Sequence, residues 1–103
     1  MIPHSIELQD IKVAQRPLGS LVQKTPVHPS AYLSHLLGAQ VYLKLETTQA
    51  TRSFKVRGAG SVLLHLSENQ RRRGAITYST GNHGKAASHI ARTLGMKMYV
   101  CIS

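Results

Sequence analysis

A chain of 103 residues bounds the fold to one modest domain or a piece of one, and 42% hydrophobic residues with no low-complexity tract exclude a disordered chain. Thirteen Lys and Arg against four Asp and Glu give a formal charge of +9, which raises nucleic acid as a partner. The one basic run, Arg71-Arg72-Arg73, reads instead as a solvated connector before a strand, and one Phe with four Tyr offers few rings for bases to stack on, so no nucleic acid is expected. A single cysteine, Cys101, excludes an internal disulfide and fits a reducing cytoplasm. No apolar run reaches membrane length and residues 1–10 lack an export signal, so a cytoplasmic location without membrane contact is expected.

Taken in order, residues 5–15 read as a short helix capped by Ser5 and broken by Pro17 and Gly19. Thr25-Pro26-Val27-His28-Pro29 is expected to be extended, since residues before proline avoid helical angles. A short helix over 30–37 follows, ended by Gly38, with Tyr32, Leu33, Leu36 and Leu37 as packing residues. Residues 41–46 alternate as a strand and 47–52 form a polar loop. Ser53 reads as the N-cap of a helix whose face is Val56, Ala59, Leu63 and Leu66. Residues 75–79 form the next strand, Ala86, Ala87, Ile90, Ala91 and Leu94 one face of a helix closed by Gly95, and 96–102 a third strand. Strand, helix, strand, helix, strand predicts an α/β fold with a parallel sheet and flanking helices.

Two strand-to-helix turns carry the chemistry. Lys55 falls in the first turn of its helix, where the dipole and nearby Arg57 disfavour an ammonium and favour an amine able to attack a carbonyl. Most lysines near a helix start are merely solvated, and that reading stands beside the functional one. Downstream, Ser79-Thr80-Gly81-Asn82-His83-Gly84 is a small polar loop whose backbone N–H groups would open a helix N-terminus toward an anion. His83 serves either to transfer a proton or to hold the loop by bonding its backbone.

Other motifs fail. Gly81-Asn82-His83-Gly84-Lys85-Ala86 lacks the spacing of a phosphate loop, and Gly58-Ala59-Gly60 sits inside a helix where a dinucleotide fingerprint would open one. His4, His28, His35, His65, His83 and His89 show no paired ligand spacing, so no metal site is expected. Cys101 reads as a buried strand residue.

Ser53-Phe54-Lys55-Val56-Arg57-Gly58-Ala59, followed by Ser79-Thr80-Gly81-Asn82-His83-Gly84, resembles the serine/threonine dehydratase family of fold type II enzymes that use pyridoxal 5'-phosphate. The branch that acts in ectoine utilisation shares the pattern, as do threonine synthases and diaminopropionate lyases. Thr25-Pro26-Val27 and Leu43-Lys44-Leu45-Glu46-Thr47-Thr48-Gln49 resemble the same family's N-terminal pattern, so the likeness runs from about residue 25 to the end.

The resemblance implies that Lys55 binds the cofactor and removes the substrate's α-proton, and that Phe54 lies against the cofactor ring. It implies that Asn82 bonds the phenolic oxygen, while Ser79, Thr80, Asn82 and His83 surround the substrate carboxylate. The reaction implied is loss of the β-hydroxyl of a serine- or threonine-like amino acid to give a 2-oxo acid and ammonia, in a homo-oligomeric enzyme. A basic, non-catalytic α/β module contacting RNA or acidic partners is the alternative. Arg52 stands where the family often has glycine, and Thr80 where racemising relatives have serine, which favours elimination. Residues 1–24 read as a lead-in and 25–103 as the N-terminal part of a catalytic domain. The family's phosphate-binding loop and pyridine-nitrogen partner come from later chain, so 1–103 alone is expected to be truncated and inert.

Overall fold

The computed structural model describes residues 5–103; His4 and the rest of 1–4 lie outside the described residues. Helix α1 covers Leu8–Gln15 and starts later than the pattern predicts. Glu7, not Ser5, is the N-cap, because its N–H donates to the Asp10 carboxylate at 2.9 Å. A 3-10 turn over Arg16–Leu21 follows and drives Leu18 into the core.

Strands β1 (Val27–Pro29) and β2 (Tyr42–Lys44) flank helix α2 (Ala31–Leu37), which Gly38 closes as predicted and for which Ser30 is the cap and not the first helical residue. The strand read at 41–46 does not join the parallel sheet. It pairs antiparallel with β1, Val27 opposite Lys44 and Pro29 opposite Tyr42. The cause is the turn around α2. Ser34 Oγ accepts the Val41 N–H at 2.9 Å, and the Ser30 N–H donates to the Val41 carbonyl at 2.9 Å, folding the chain back on itself. Alternation tells which faces a strand has, not which strand it meets. Tyr32, Leu36 and Leu37 are exposed and do not pack as expected; Leu33 alone of the four is half-buried.

Helix α3 spans Lys55–Leu64 and helix α4 spans Glu68–Arg73. The arginine run is thus a helical turn and not a loose connector. Ser67 and Gln70 form a capping box, Arg72 pairs with Glu68 one turn away at 3.0 Å, and Arg71 donates to the Leu64 carbonyl at 2.6 Å. Strands β3 (Ala75–Tyr78) and β4 (Met98–Cys101) pair in parallel, Ala75 opposite Met98, around helix α5 (Asn82–Thr93). They form one βαβ unit.

The core lies between α3 and α5, where Val56, Ala59 and Leu63 meet Ala86, Ala87, Ile90 and Ala91. Small residues let the helices approach closely. At Gly60 an added Cβ would stand 3.6 Å from Ile90 Cδ1 of α5 and only 2.8 Å from Leu18 Cδ2 of the 3-10 turn. These helices cover one face of the parallel pair. The other carries Ile76, Tyr78, Tyr99 and Cys101 in solvent, so Cys101 is not buried. Among the described residues no helix is long and apolar enough to cross a membrane.

A polar cluster ties the first half of the chain to α3. Both oxygens of Glu46 accept from Arg57, Oε1 from Nη2 at 2.7 Å and Oε2 from Nε at 2.9 Å. Thr25 Oγ1 donates to the same carboxylate at 2.5 Å, and the fully buried Gln49 side chain bonds both the N–H and the carbonyl of Gln23. Hydrogen bonds from Arg57, opposed by burial and helped by Thr25, hold the Glu46 carboxyl down at about 2, and the Glu46 carboxylate raises Arg57.

A carboxyl whose folded value lies below its ordinary 4.5 adds stability in full above that value and loses it as pH falls toward 2. Only Glu7, Asp10 and Glu68 accompany Glu46 as acids, and all three are exposed. Acid unfolding of the native protein between pH 4.5 and 2 should therefore report mainly on Glu46. Glu46→Gln should cost about 2 kcal/mol at pH 7 and flatten that part of the pH–stability curve. Equilibrium denaturation at a series of pH values checks both; an unchanged slope would contradict the assignment.

Candidate active site

The chain approaches α3 through a 3-10 turn at Glu46–Thr48 and a tight bend. In that bend Arg52 takes φ 62°, the left-handed region, and its N–H donates to the Gln49 carbonyl at 2.8 Å. This geometry explains why glycine suits the position. Ser53 is not the helix cap. Phe54 occupies that place without a side-chain bond, while Ser53 is buried and its hydroxyl has no partner among the described residues. Lys55 is the first helical residue and is exposed, its Nζ 5.1 Å from the centre of the Phe54 ring. That is a cation–π distance. The repulsion expected from Arg57 is offset, because Glu46 takes up the guanidinium charge.

In the second turn, Ser79 Oγ accepts the N–H of Gly81 at 3.2 Å and of Gly84 at 2.9 Å. Its lone pairs are engaged in starting α5, and only its proton is left to donate. Gly84 is required there, since a Cβ would stand 2.9 Å from Val100 Cγ1. The N–H groups of Asn82 and His83, the first two helical residues, have no partner among the described residues, which leaves donors at the positive end of a twelve-residue helix. The His83 ring lies 3.0 Å from Thr77 Oγ1, so a strand side chain holds it and not the loop backbone.

Between α3, β3 and the start of α5 runs a largely apolar cleft of about 530 Å³. It brings Lys55, Phe54 and His83 together with Thr77, against a wall that includes Val62 and Leu66. Ser79, Thr80 and Asn82 stand on the adjoining turn and are not part of its walls. Thr77 escaped the sequence reading because nothing short of the fold shows that residue 77 faces residue 83. Glu46 and Arg57 had a signal, opposite charges inside two of the stretches that carry the resemblance, 43–49 and 53–59, but no spacing rule pairs them across eleven positions. An exposed amine beside an aromatic ring, an unpartnered buried hydroxyl at Ser53 and free N–H groups at a helix start suit a flat, anionic cofactor with a reactive carbonyl.

The left-handed Arg52 supplies a direct test. Arg52→Gly should relieve about 1–2 kcal/mol of backbone strain, against about 0.5–1 kcal/mol lost to the freer unfolded chain, for a net gain of about 0.5–1 kcal/mol. Thermal unfolding reads it; a lower melting temperature would mean that the guanidinium makes a contact worth more than the strain.

Comparison with known proteins shows the family. The family described as pyridoxal-phosphate dependent enzyme matches residues 19–103. The chain is 44% identical over 91 residues to the L-threonine ammonia-lyase of Thermotoga maritima, covering 88% of this chain and 23% of that protein. It is 37% identical over 98 residues to the serine racemase of Dictyostelium discoideum, covering 95% and 30%. Among solved structures, maize serine racemase superposes with a TM-score of 0.88 at 29% identity, over 96% of this chain and 31% of that one. The solved serine racemase of Dictyostelium discoideum gives 0.88 at 37% identity, over 94% and 32%. The chain spans less than a third of each of these relatives. The family match and the fold together show that this chain belongs to the pyridoxal-phosphate dependent enzymes of fold type II.

Proposed function

We propose that the protein is a lyase that removes the β-hydroxyl of a serine- or threonine-like amino acid, releasing a 2-oxo acid and ammonia. The observation that carries this reading is Lys55, an exposed amine on the first residue of α3, in an apolar cleft shared with Phe54 and His83. Bound pyridoxal phosphate supplies an electron sink for the carbon next to the substrate's amino group. Lys55 Nζ would hold the cofactor's carbonyl carbon, and as a free amine it would serve as the base for the α-proton. Phe54 offers a flat apolar surface to the ring. The N–H groups of Asn82 and His83 receive the substrate carboxylate with Thr80 beside them, Ser79 keeps that turn wound, and the Asn82 amide bonds the cofactor oxygen.

Thr80 supports elimination over racemisation. Its β-branch restricts the hydroxyl that would have to deliver a proton from the opposite face. A single cysteine, exposed and unpaired, supports a reducing cytoplasm as the location. The serine racemase relatives make the racemase the reading to test against.

Incubation of the protein as encoded with pyridoxal phosphate and then borohydride should label Lys55, and Lys55→Ala should lower turnover about 10³-fold or more. Labelling at Lys44 or Lys85 would overturn the assignment. L-serine or L-threonine should give 2-oxo acid and ammonia, whereas accumulation of the D-isomer without them would make the enzyme a racemase. Asn82→Ala should lower turnover about 10-fold or more while moving the melting temperature little. Loss of folding with unchanged activity per folded molecule would make Asn82 structural.

A further inference from the structure

Resting on that reading of Lys55, we propose that Glu46 is a positioning residue for the Lys55 amine, acting through Arg57. Lys55 and Arg57 both sit in the first turn of α3, a turn with no acidic residue of its own. Two cations there oppose the helix dipole, and neither has an internal counter-charge. Glu46 supplies one from outside the helix. It grips the guanidinium at two nitrogens, and Arg57 Nη2 also donates to the Gln23 carbonyl at 3.0 Å. A bidentate grip sets the rotation of a planar group as well as its distance.

The grip is itself held. Thr25 and Gln49 both donate to the Glu46 carboxylate, and Lys44 Nζ donates to the Thr25 carbonyl at 2.8 Å. Two separate stretches of chain, 23–25 and 44–49, therefore converge on the residue two places after Lys55. Residues two apart on a helix project in different directions. With the Arg57 guanidinium turned to Glu46 and Gln23, the first turn of α3 cannot rotate about its axis without breaking this cluster. The Lys55 side chain keeps its place beside Phe54. The cluster adds a polar tie to the packing of Val56 in the core, where Phe54 makes no side-chain cap and the Ser53 hydroxyl has no partner among the described residues.

The experiment measures amine reactivity, which needs no turnover. The protein as encoded is treated briefly with pyridoxal phosphate and borohydride at alkaline pH, and labelling at each lysine is mapped by mass spectrometry, with exposed Lys12 and Lys97 as internal references. Glu46→Gln removes the grip and one negative charge. The double variant Glu46→Gln/Arg57→Met removes the grip while leaving the summed charge of the pair at zero, as in the native protein. Loss of position should lower the Lys55 preference about fivefold or more in both. Thr25→Val, which spares the ion pair, should give a smaller fall in the same direction and serves if the other variants do not fold. If the double variant keeps the native preference while Glu46→Gln alone changes it, charge and not position is at work and the proposal is overturned. A lowered melting temperature with labelling unchanged in every folded variant makes the cluster merely structural and overturns it too. Failure of the native protein to favour Lys55 sinks the proposed function, and this inference with it.

Discussion

The constraint on which the rest of the structure depends is the ion pair between Glu46 and Arg57. In a chain with thirteen cations and four acids, Glu46 is the one acid that is not exposed, and it meets Arg57 across a bidentate contact of 2.7 and 2.9 Å. An exposed pair of this kind would contribute little. Here the Arg57 and Glu46 side chains are 31% and 17% exposed, and Thr25, Gln49 and the Gln23 carbonyl take up part of their remaining hydrogen-bonding capacity. That is the condition under which a partly buried pair offsets the cost of taking its charges out of water. Remove it, and the antiparallel β1–β2 pair has few polar ties to α3.

The site is built on rigid parts even though its residues stand on turns. Lys55 and Asn82 are each the first residue of a helix, and those helices pack on one another through alanine, glycine and a few branched side chains. Close packing of this kind resists sliding, so the two turns keep a fixed relation. The cleft between them is apolar along α3 and β3 and polar only at Lys55, Arg57, Thr77 and His83.

The bare face of the parallel strands has the opposite character. Ile76, Tyr78 and Tyr99 stand in solvent, while the covered face holds Ala75, Thr77, Met98 and Val100. Parallel sheets are normally covered on both sides. The relatives are more than three times as long as the matched region, so the matched structures carry much chain with no counterpart among the described residues.

What the sequence determined by itself is the set of features whose causes lie within a few residues. Ser30 and Gly38 bound α2, the spacing of Val56, Ala59 and Leu63 makes the buried face of α3, and that of Ala86, Ala87, Ile90 and Ala91 the buried face of α5. Lys55 at the entrance of one helix and the glycine turn at the entrance of another were legible for the same reason, and with them the family. Helix caps and periodicity act over three or four positions, and a reader of sequence sees that far. The tertiary structure alone decided that residues 42–44 pair with 27–29, that Ser53 is buried while Ser79 winds α5, and that Arg57 turns to Glu46 instead of repelling Lys55. Each depends on a partner brought close by the fold, 11 residues away for Glu46 and 34 for Gln23, and no local preference of a residue specifies which distant group it will meet.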